Sequence, residues 1–322
     1  ENGVWAWSFS SSQYVQEACQ NVRQYLKDLN GDMKPERCKY FMPKKVNAPL
    51  STDYRPEIDV SPELEPEFAG YYQSLIGILI WMVEIGRIDI TCEVSCMSSC
   101  LALPREGNLK QLFHMFRYLE SRHNTLQVFD ATEPDIDMND FPKQDWTNTV
   151  YAHGRDELEE DIPKGLPKPL GKEFKIIVYE DSDHAGDQVT RRSRTGFLVF
   201  LNSSLIYWTS KKQTTIETSS FGSEFSAMKS ATEYVRGLRY KLRAMGIPVT
   251  SPAYIYGDNK SVLANSTAPE SQLKKRSNSV AYHHCREGVA LDEWRTAYVC
   301  TDENMSDLMT KCLPGGKKRD KF

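Results

Sequence analysis

At 322 residues, 40% hydrophobic and 26% charged, the chain has an ordinary water-soluble composition and is long enough for about two domains. Mean hydropathy is −0.54. The longest apolar run, Leu75 to Val83, stops at Glu84, short of the roughly 20 residues a membrane helix needs, so no membrane association is expected. The net charge of −4 argues against a nucleic-acid binder only if it is spread evenly. Residues 1–170 hold 17 Lys+Arg and 27 Asp+Glu, whereas residues 171–322 hold 23 and 17, so the halves carry −10 and +6. The N-terminus has neither a secretory signal nor an initiator Met, so a fragment with eight reduced cysteines is expected.

In chain order, residues 9–29 predict an amphipathic helix, capped by Ser10–Ser12 and carrying Val15, Ala18, Val22 and Leu26 at helical spacing. Five prolines between 43 and 66 predict an extended connector. Residues 67–103 predict two helices meeting near Gly86–Asp89, and 107–123 another. Residues 130–170, with 11 Asp+Glu, 4 Lys+Arg and five prolines, predict a weakly ordered acidic linker. Beyond it the pattern becomes β-β-β-α-β-α-α-β-α. Strands are predicted at 174–179, 195–201, 205–208, 253–256 and 294–300, and helices at 222–244, 259–264, 282–290 and 304–311. This order favours an α/β fold with a mixed sheet flanked by helices.

Four carboxylates fall where strands end or helices begin: Asp181, Glu224, Asp258 and Asp307. If the first and fourth strands of this half are neighbours, Asp181 and Asp258 meet at their ends, and the helices bearing Glu224 and Asp307 can converge on them. Acids packed together without a counter-ion would protonate, and a pair of Mg²⁺ ions resolves that conflict. Two such ions suit phosphodiester hydrolysis. Taken one at a time, each acid also fits a solvated loop or helix cap, and Asp183 and Asp187 flank the same turn as Asp181.

The strings YEDSDHAGD, RRSRTGFLVFL, IYWTSKKQTTIETSSFGSEFSAMKSA, IYGDNKSVL, YHHCREGV and ENMSDLMTKCLP resemble, in order and spacing, the ribonuclease H domain that closes copia-type retrotransposon Pol polyproteins. AWSFSSSQYVQEACQNV, PLSTDYRPEIDVSPEL and YYQSLIGILIWMVEIGRIDI resemble the C-terminal stretch of the copia-type reverse transcriptase, beyond its palm. The resemblance implies a helical thumb and connection remnant at 1–130, an acidic linker at 131–172, a ribonuclease H domain at 173–315 and a basic tail at 316–322. It implies that Asp181, Glu224, Asp258 and Asp307 are catalytic metal ligands, with Asp181 shared by two Mg²⁺ ions that Mn²⁺ can replace. The implied substrate is the RNA strand of an RNA–DNA hybrid. The implied partners are the remainder of the Pol polyprotein, its polymerase palm and integrase, and the implied location is the cytoplasm, in a virus-like particle, and the nucleus. Polymerase activity is not expected without the palm. The non-enzymatic alternative is a decayed or captured element that binds nucleic acid or a partner without cutting.

The chain departs from the family in three places. His184 stands where an aromatic residue is usual, Arg276-Ser277-Asn278-Ser279 replaces a Lys-His-Ile-Asp-like segment, and no His lies between Ala297 and Ser306. Hybrid contacts are expected from Arg191, Arg192 and Arg194 before the second strand of this half, and from Thr209, Ser210, Lys211, Lys212, Gln213 and Asn259. Cations would meet phosphates, and hydroxyls or amides would meet 2′-hydroxyls. Lys274–Arg276 and Lys317–Arg319 are read as flexible basic runs. Cys92, Cys96 and Cys100 form one helix stripe, read as packing because a metal site would want a fourth ligand. His283 is read as a packing or hydrogen-bonding residue.

Overall fold

The computed structural model describes residues 6–34, 37–152, 158–273 and 276–321. Lys274 and Lys275 of the basic run at 274–276 therefore lie outside the described residues. The chain divides into two compact units. One comprises Phe129–Gly186 and Arg191–Thr310; the other comprises Trp7–Val128, Asp187–Thr190 and the C-terminal segment from Lys311.

The second of these units is mostly helical. Helix α1 (Ser12–Asn30) buries Val15, Ala18, Cys19, Val22 and Leu26, and α4 (Glu106–Ser121) buries Leu109, Leu112, Phe113, Phe116 and Leu119. Both sets recur every three or four residues, so each helix has one apolar stripe, and α1 packs against α4. Between them lie α2 (Pro66–Glu84) and α3 (Thr91–Ser98), separated by a turn at Gly86, whose φ of +100° favours glycine. The proline-rich connector is irregular, with a turn closed by the Tyr54 amide on the Ser51 carbonyl at 3.1 Å and a second turn at Pro56–Ile58. A two-stranded ribbon pairs β1 (Trp7–Phe9) with β2 (Gln127–Phe129). The short helix α9 (Lys317–Lys321) lies in the expected flexible tail, yet Arg319 is buried. Its guanidinium donates to the carbonyls of Leu313 and Asp89 and pairs with Glu93. The tail is thus anchored by a buried ion pair.

The α/β unit is built on a five-stranded sheet. Its strands are β3 (Ile176–Asp183), β4 (Arg194–Leu201), β5 (Ser204–Lys212), β6 (Ala253–Gly257) and β7 (Trp294–Tyr298), in the spatial order β5-β4-β3-β6-β7. β3 runs antiparallel to β4 and parallel to β6. A central strand is covered on both faces, which explains the unbroken apolar run Ile176-Ile177-Val178. Helix α5 (Ser220–Ala244) lies on the sheet, closing a core of Val178, Phe197, Val199, Ala231, Val235, Ile255 and Trp294. Three further helices complete the unit: α6 (Lys260–Thr267), α7 (Ser279–Ala290) and the single turn α8 (Asp307–Thr310).

The described residues of the acidic stretch, 129–152 and 158–172, differ from the expected weakly ordered linker. They form a strap fixed to the α/β unit by a few aromatic and charged anchors. Phe141 is fully buried, with edge contacts to Tyr254 and Tyr256 at 5.0 and 5.1 Å. Trp146 and Tyr151 pack together, and the Arg286 guanidinium lies 4.7 Å over the Trp146 ring. Glu160 forms ion pairs with Arg239 (2.7 Å) and Arg243 (2.5 Å) of α5. An average over 41 mostly polar residues conceals so sparse a set of anchors.

Candidate active site

Sheet register builds the site. Tyr179 of β3 is paired with Tyr256 of the parallel strand β6, and their rings stack at 5.0 Å. Two residues further along each strand stand Asp181 and Asp258. β3 continues to Asp183, so Asp181 is held inside the sheet and not in the loop that the sequence pattern predicts. The start of α5 brings in Glu224. Carboxylate oxygens of Asp181, Glu224 and Asp258 lie within 4.8 Å of one another. Asp181 and Glu224 are buried and Asp258 is half-buried.

Asp307 begins α8 and is fully buried, but it is not one of the three converging acids. The same turn reaches the site through Thr310, whose Oγ1 donates to Asp181 Oδ2. α8 gets this close because Gly196, the partner of Asp181 on β4, has no side chain. A Cβ there would sit 2.5 Å from Met309 Cβ and 2.7 Å from Thr310 Cγ2. The loop before α8 hangs from β3, with Asn304 Nδ2 donating to the Glu180 carbonyl at 3.0 Å. Asp258 accepts from Thr301 Oγ1 at 2.8 Å. The sequence pattern did not single out Thr301, Asn304 or Thr310, because their roles exist only once α8 is folded against β3.

Glu180 is a fourth carboxylate beside the three. Burial, and after it the charges of Asp181 and Asp258, push its carboxyl well above the usual carboxylate range. Its Oε2 is buried without a hydrogen-bond partner. Acids this close disfavour one another's charged forms, and a bound cation would relieve that repulsion. The donors are all oxygens, so the residues present fit hard divalent cations such as Mg²⁺.

Several expected hybrid contacts do other work. Gln213 is buried, and its Nε2 donates to Thr195 Oγ1 and to the Ser223 carbonyl, each at 3.0 Å, fixing the turn of α5 that presents Glu224. Arg194 is buried on β4 and donates to Ser210 Oγ at 3.2 Å. Asn259 caps α6, its Oδ1 accepting from the Ser261 and Val262 amides. Arg191, Arg192 and Lys211 are exposed, and Thr209 and Lys212 are half-buried. His184 hydrogen-bonds with Ser223 Oγ at 3.3 Å, and His283 with Tyr151 Oη at 2.8 Å. Neither belongs to the acidic group.

No protein-family model matches the chain. Over 291 residues, 90% of its length, it is 23% identical to the retrovirus-related Pol polyprotein from transposon RE1 of Arabidopsis thaliana. Over 278 residues it is 23% identical to that from transposon TNT 1-94 of Nicotiana tabacum, 85% of the chain. The proteins it is similar to include copia-type retrotransposon Pol polyproteins. The chain spans 17% and 18% of these two polyproteins. It is also 48% identical over 187 residues to an uncharacterized mitochondrial protein of Arabidopsis thaliana, covering 58% of this chain and 57% of that one. Solved structures similar to it include RNase H1 from Halobacterium salinarum NRC-1 and LC11-RNase H1 in complex with an RNA/DNA hybrid. Each match has a TM-score of 0.34 and 14% identity, and covers 42% of this chain and 94% of the other. The fold is α/β, a mixed sheet flanked by helices and preceded along the chain by a mostly helical part. No helix among the described residues is long and apolar enough to cross a membrane.

Proposed function

We propose that the chain is the ribonuclease H of a retrotransposon Pol polyprotein and hydrolyses the RNA strand of RNA–DNA hybrids. The observation that carries this reading is the convergence of Asp181, Glu224 and Asp258 at the ends of two parallel strands and the start of a helix. Asp181, Glu224 and Asp258, with Asp307 completing the set, are the residues that would hold divalent cations. Two Mg²⁺ ions bound there would supply positive charge to activate a water and stabilise the leaving oxygen of the scissile phosphate. The chain's own groups prepare that chemistry. Thr310 orients the Asp181 carboxylate, Thr301 orients that of Asp258, and Gln213 fixes the helix turn bearing Glu224. Arg191, Arg192 and Lys211 offer exposed cations to the phosphates, and the Thr209 and Ser210 hydroxyls offer hydrogen bonds to sugars. The cut leaves a 5′-phosphate and a 3′-hydroxyl.

The test is cleavage of an end-labelled RNA–DNA hybrid by the full chain in Mg²⁺ or Mn²⁺. Cleavage of the RNA strand, abolished by chelator and by Asp181→Asn, is the expected result. A folded chain that binds hybrid and never cuts it would establish the non-catalytic binding module instead.

A further inference from the structure

The three-residue stripe Cys92, Cys96 and Cys100 does not stay together. Cys100 Sγ turns to the Pro56 carbonyl at 4.0 Å. Its place beside Cys92 and Cys96 is taken by Cys312, from the C-terminal segment of the same helical unit. Cys312 Sγ lies 3.9 Å from Cys92 Sγ and 3.8 Å from Cys96 Sγ. All three sulfurs lie within 4.8 Å of one another.

These separations match a specific chemistry. Zinc–thiolate bonds are about 2.3 Å long, and tetrahedral coordination then places neighbouring sulfurs about 3.8 Å apart. Cys92 and Cys96 stand four residues apart on α3, so one rigid helix face presents both. The third sulfur is also held in place. Leu313 is buried, Gly315 packs against Asn47 so closely that a Cβ would lie 2.6 Å from Asn47 Cβ, and Arg319 pairs with Glu93, the residue after Cys92. Cys92 is buried, Cys96 half-buried and Cys312 exposed, so the group opens to solvent on one side. That opening gives a cation a way in and leaves a fourth position for water.

We propose that Cys92, Cys96 and Cys312 form a three-thiolate site for a soft divalent cation of the Zn²⁺ type, which clamps the C-terminal segment to α3. Binding releases the three thiol protons to solvent and leaves the fourth coordination position to a water. Thiolate donors distinguish this site from the acidic group around Asp181, whose oxygen donors favour Mg²⁺. Ordinary van der Waals packing of three thiols is the competing account, and the two differ in what the sulfurs do when metal is offered.

The experiment titrates the fully reduced full-length chain with Co²⁺, a spectroscopic stand-in for Zn²⁺. A stoichiometric sulfur-to-cobalt charge-transfer band with tetrahedral visible bands is expected, and Zn²⁺ should displace both. Cys312→Ser and Cys96→Ser should each lose the band, while Cys100→Ser, Cys300→Ser and Asp181→Asn keep it. Zn²⁺ should raise the thermal midpoint of the parent chain and leave that of Cys312→Ser unmoved. Because Cys312 is exposed, this variant should match the parent midpoint without metal, which keeps misfolding apart from lost binding. Absence of the band in the reduced parent, or its persistence in Cys312→Ser, overturns the proposal. So does a chain that ignores Zn²⁺ but joins Cys312 to Cys92 or Cys96 as a disulfide on exposure to air.

Discussion

Gly196, Thr310 and Gln213 show how far a single residue reaches in this site. Gly196→Ala would drive a methyl into Met309 and Thr310 and push α8 off β4. Overpacking of this kind costs about 1–3 kcal/mol. If α8 positions Asp181 through Thr310, hybrid cleavage should also fall about 10–100-fold, the usual effect of losing a group that orients a ligand. Thr310→Val tests that link without the clash, and unchanged cleavage in Thr310→Val would remove Thr310 from the site. Gln213→Ala leaves the Ser223 carbonyl without its buried donor and should destabilise the fold by about 1–3 kcal/mol in urea unfolding. Exposed Lys211→Ala should leave the urea midpoint within about 0.5 kcal/mol of the parent and instead weaken hybrid binding. It should also make the salt dependence shallower by about one phosphate contact. Opposite phenotypes would mean that Gln213, and not Lys211, faces the nucleic acid. Sequence placed both residues in one basic stretch and assigned both to the hybrid, Lys211 to a phosphate and Gln213 to a 2′-hydroxyl. Only the packing of β5 and α5 separates them.

At the scale of elements, helices and strands were legible because their apolar residues repeat. The stripes of α1 and α4 and the run Ile176-Ile177-Val178 carry that signal directly. The strap at 129–172 was not legible, because a few anchors in a long acidic stretch have no period. Phe141→Ala should cost about 3–5 kcal/mol, as for a buried aromatic, whereas removing a side chain from a weakly ordered linker would cost almost nothing. Urea unfolding decides between them. The strap also predicts a pH dependence. Burial alone would raise the Glu160 carboxyl, but the guanidiniums of Arg243 and Arg239 outweigh it and hold it at about 2, below its ordinary 4.5. A depressed carboxylate stabilises the fold fully above its unfolded value and loses that contribution as pH falls through its folded one. The Glu160 contribution should therefore be complete above about pH 5 and vanish between 4.5 and about 2. Glu160→Gln should flatten that limb of the stability curve, and an unchanged acid limb would show that the ion pairs do not hold the strap.

For the whole molecule, dividing the charge by sequence halves was informative but did not follow the physical bodies. Segments 129–186 and 191–310, which contain the acidic strap, hold 22 Lys+Arg against 26 Asp+Glu, and the basic tail belongs to the helical unit. The α/β unit is therefore acidic overall, not the +6 body that halving the chain implies. Local placement must then supply the grip on a polyanion. Hybrid affinity should still fall steeply with added salt, because Arg191, Arg192 and Lys211 displace counterions wherever they meet phosphate. Affinity that rises with salt would mean that the acids dominate the bound face.

Sequence by itself determined the α/β class of fold, the order of its elements and three acids, Asp181, Glu224 and Asp258, that the fold brings together. Each of these follows from local patterning or from motif spacing along the chain. The tertiary structure decided which groups meet. Register between two parallel strands sets Asp181 beside Asp258, a missing Cβ at Gly196 admits α8, and burial withdraws Arg194 and Gln213 from the expected hybrid contacts. The same limit explains Cys312, which joins Cys92 and Cys96 across a separation of more than 200 residues. Periodicity describes neighbours along a chain, whereas these contacts exist only after distant segments have been packed together.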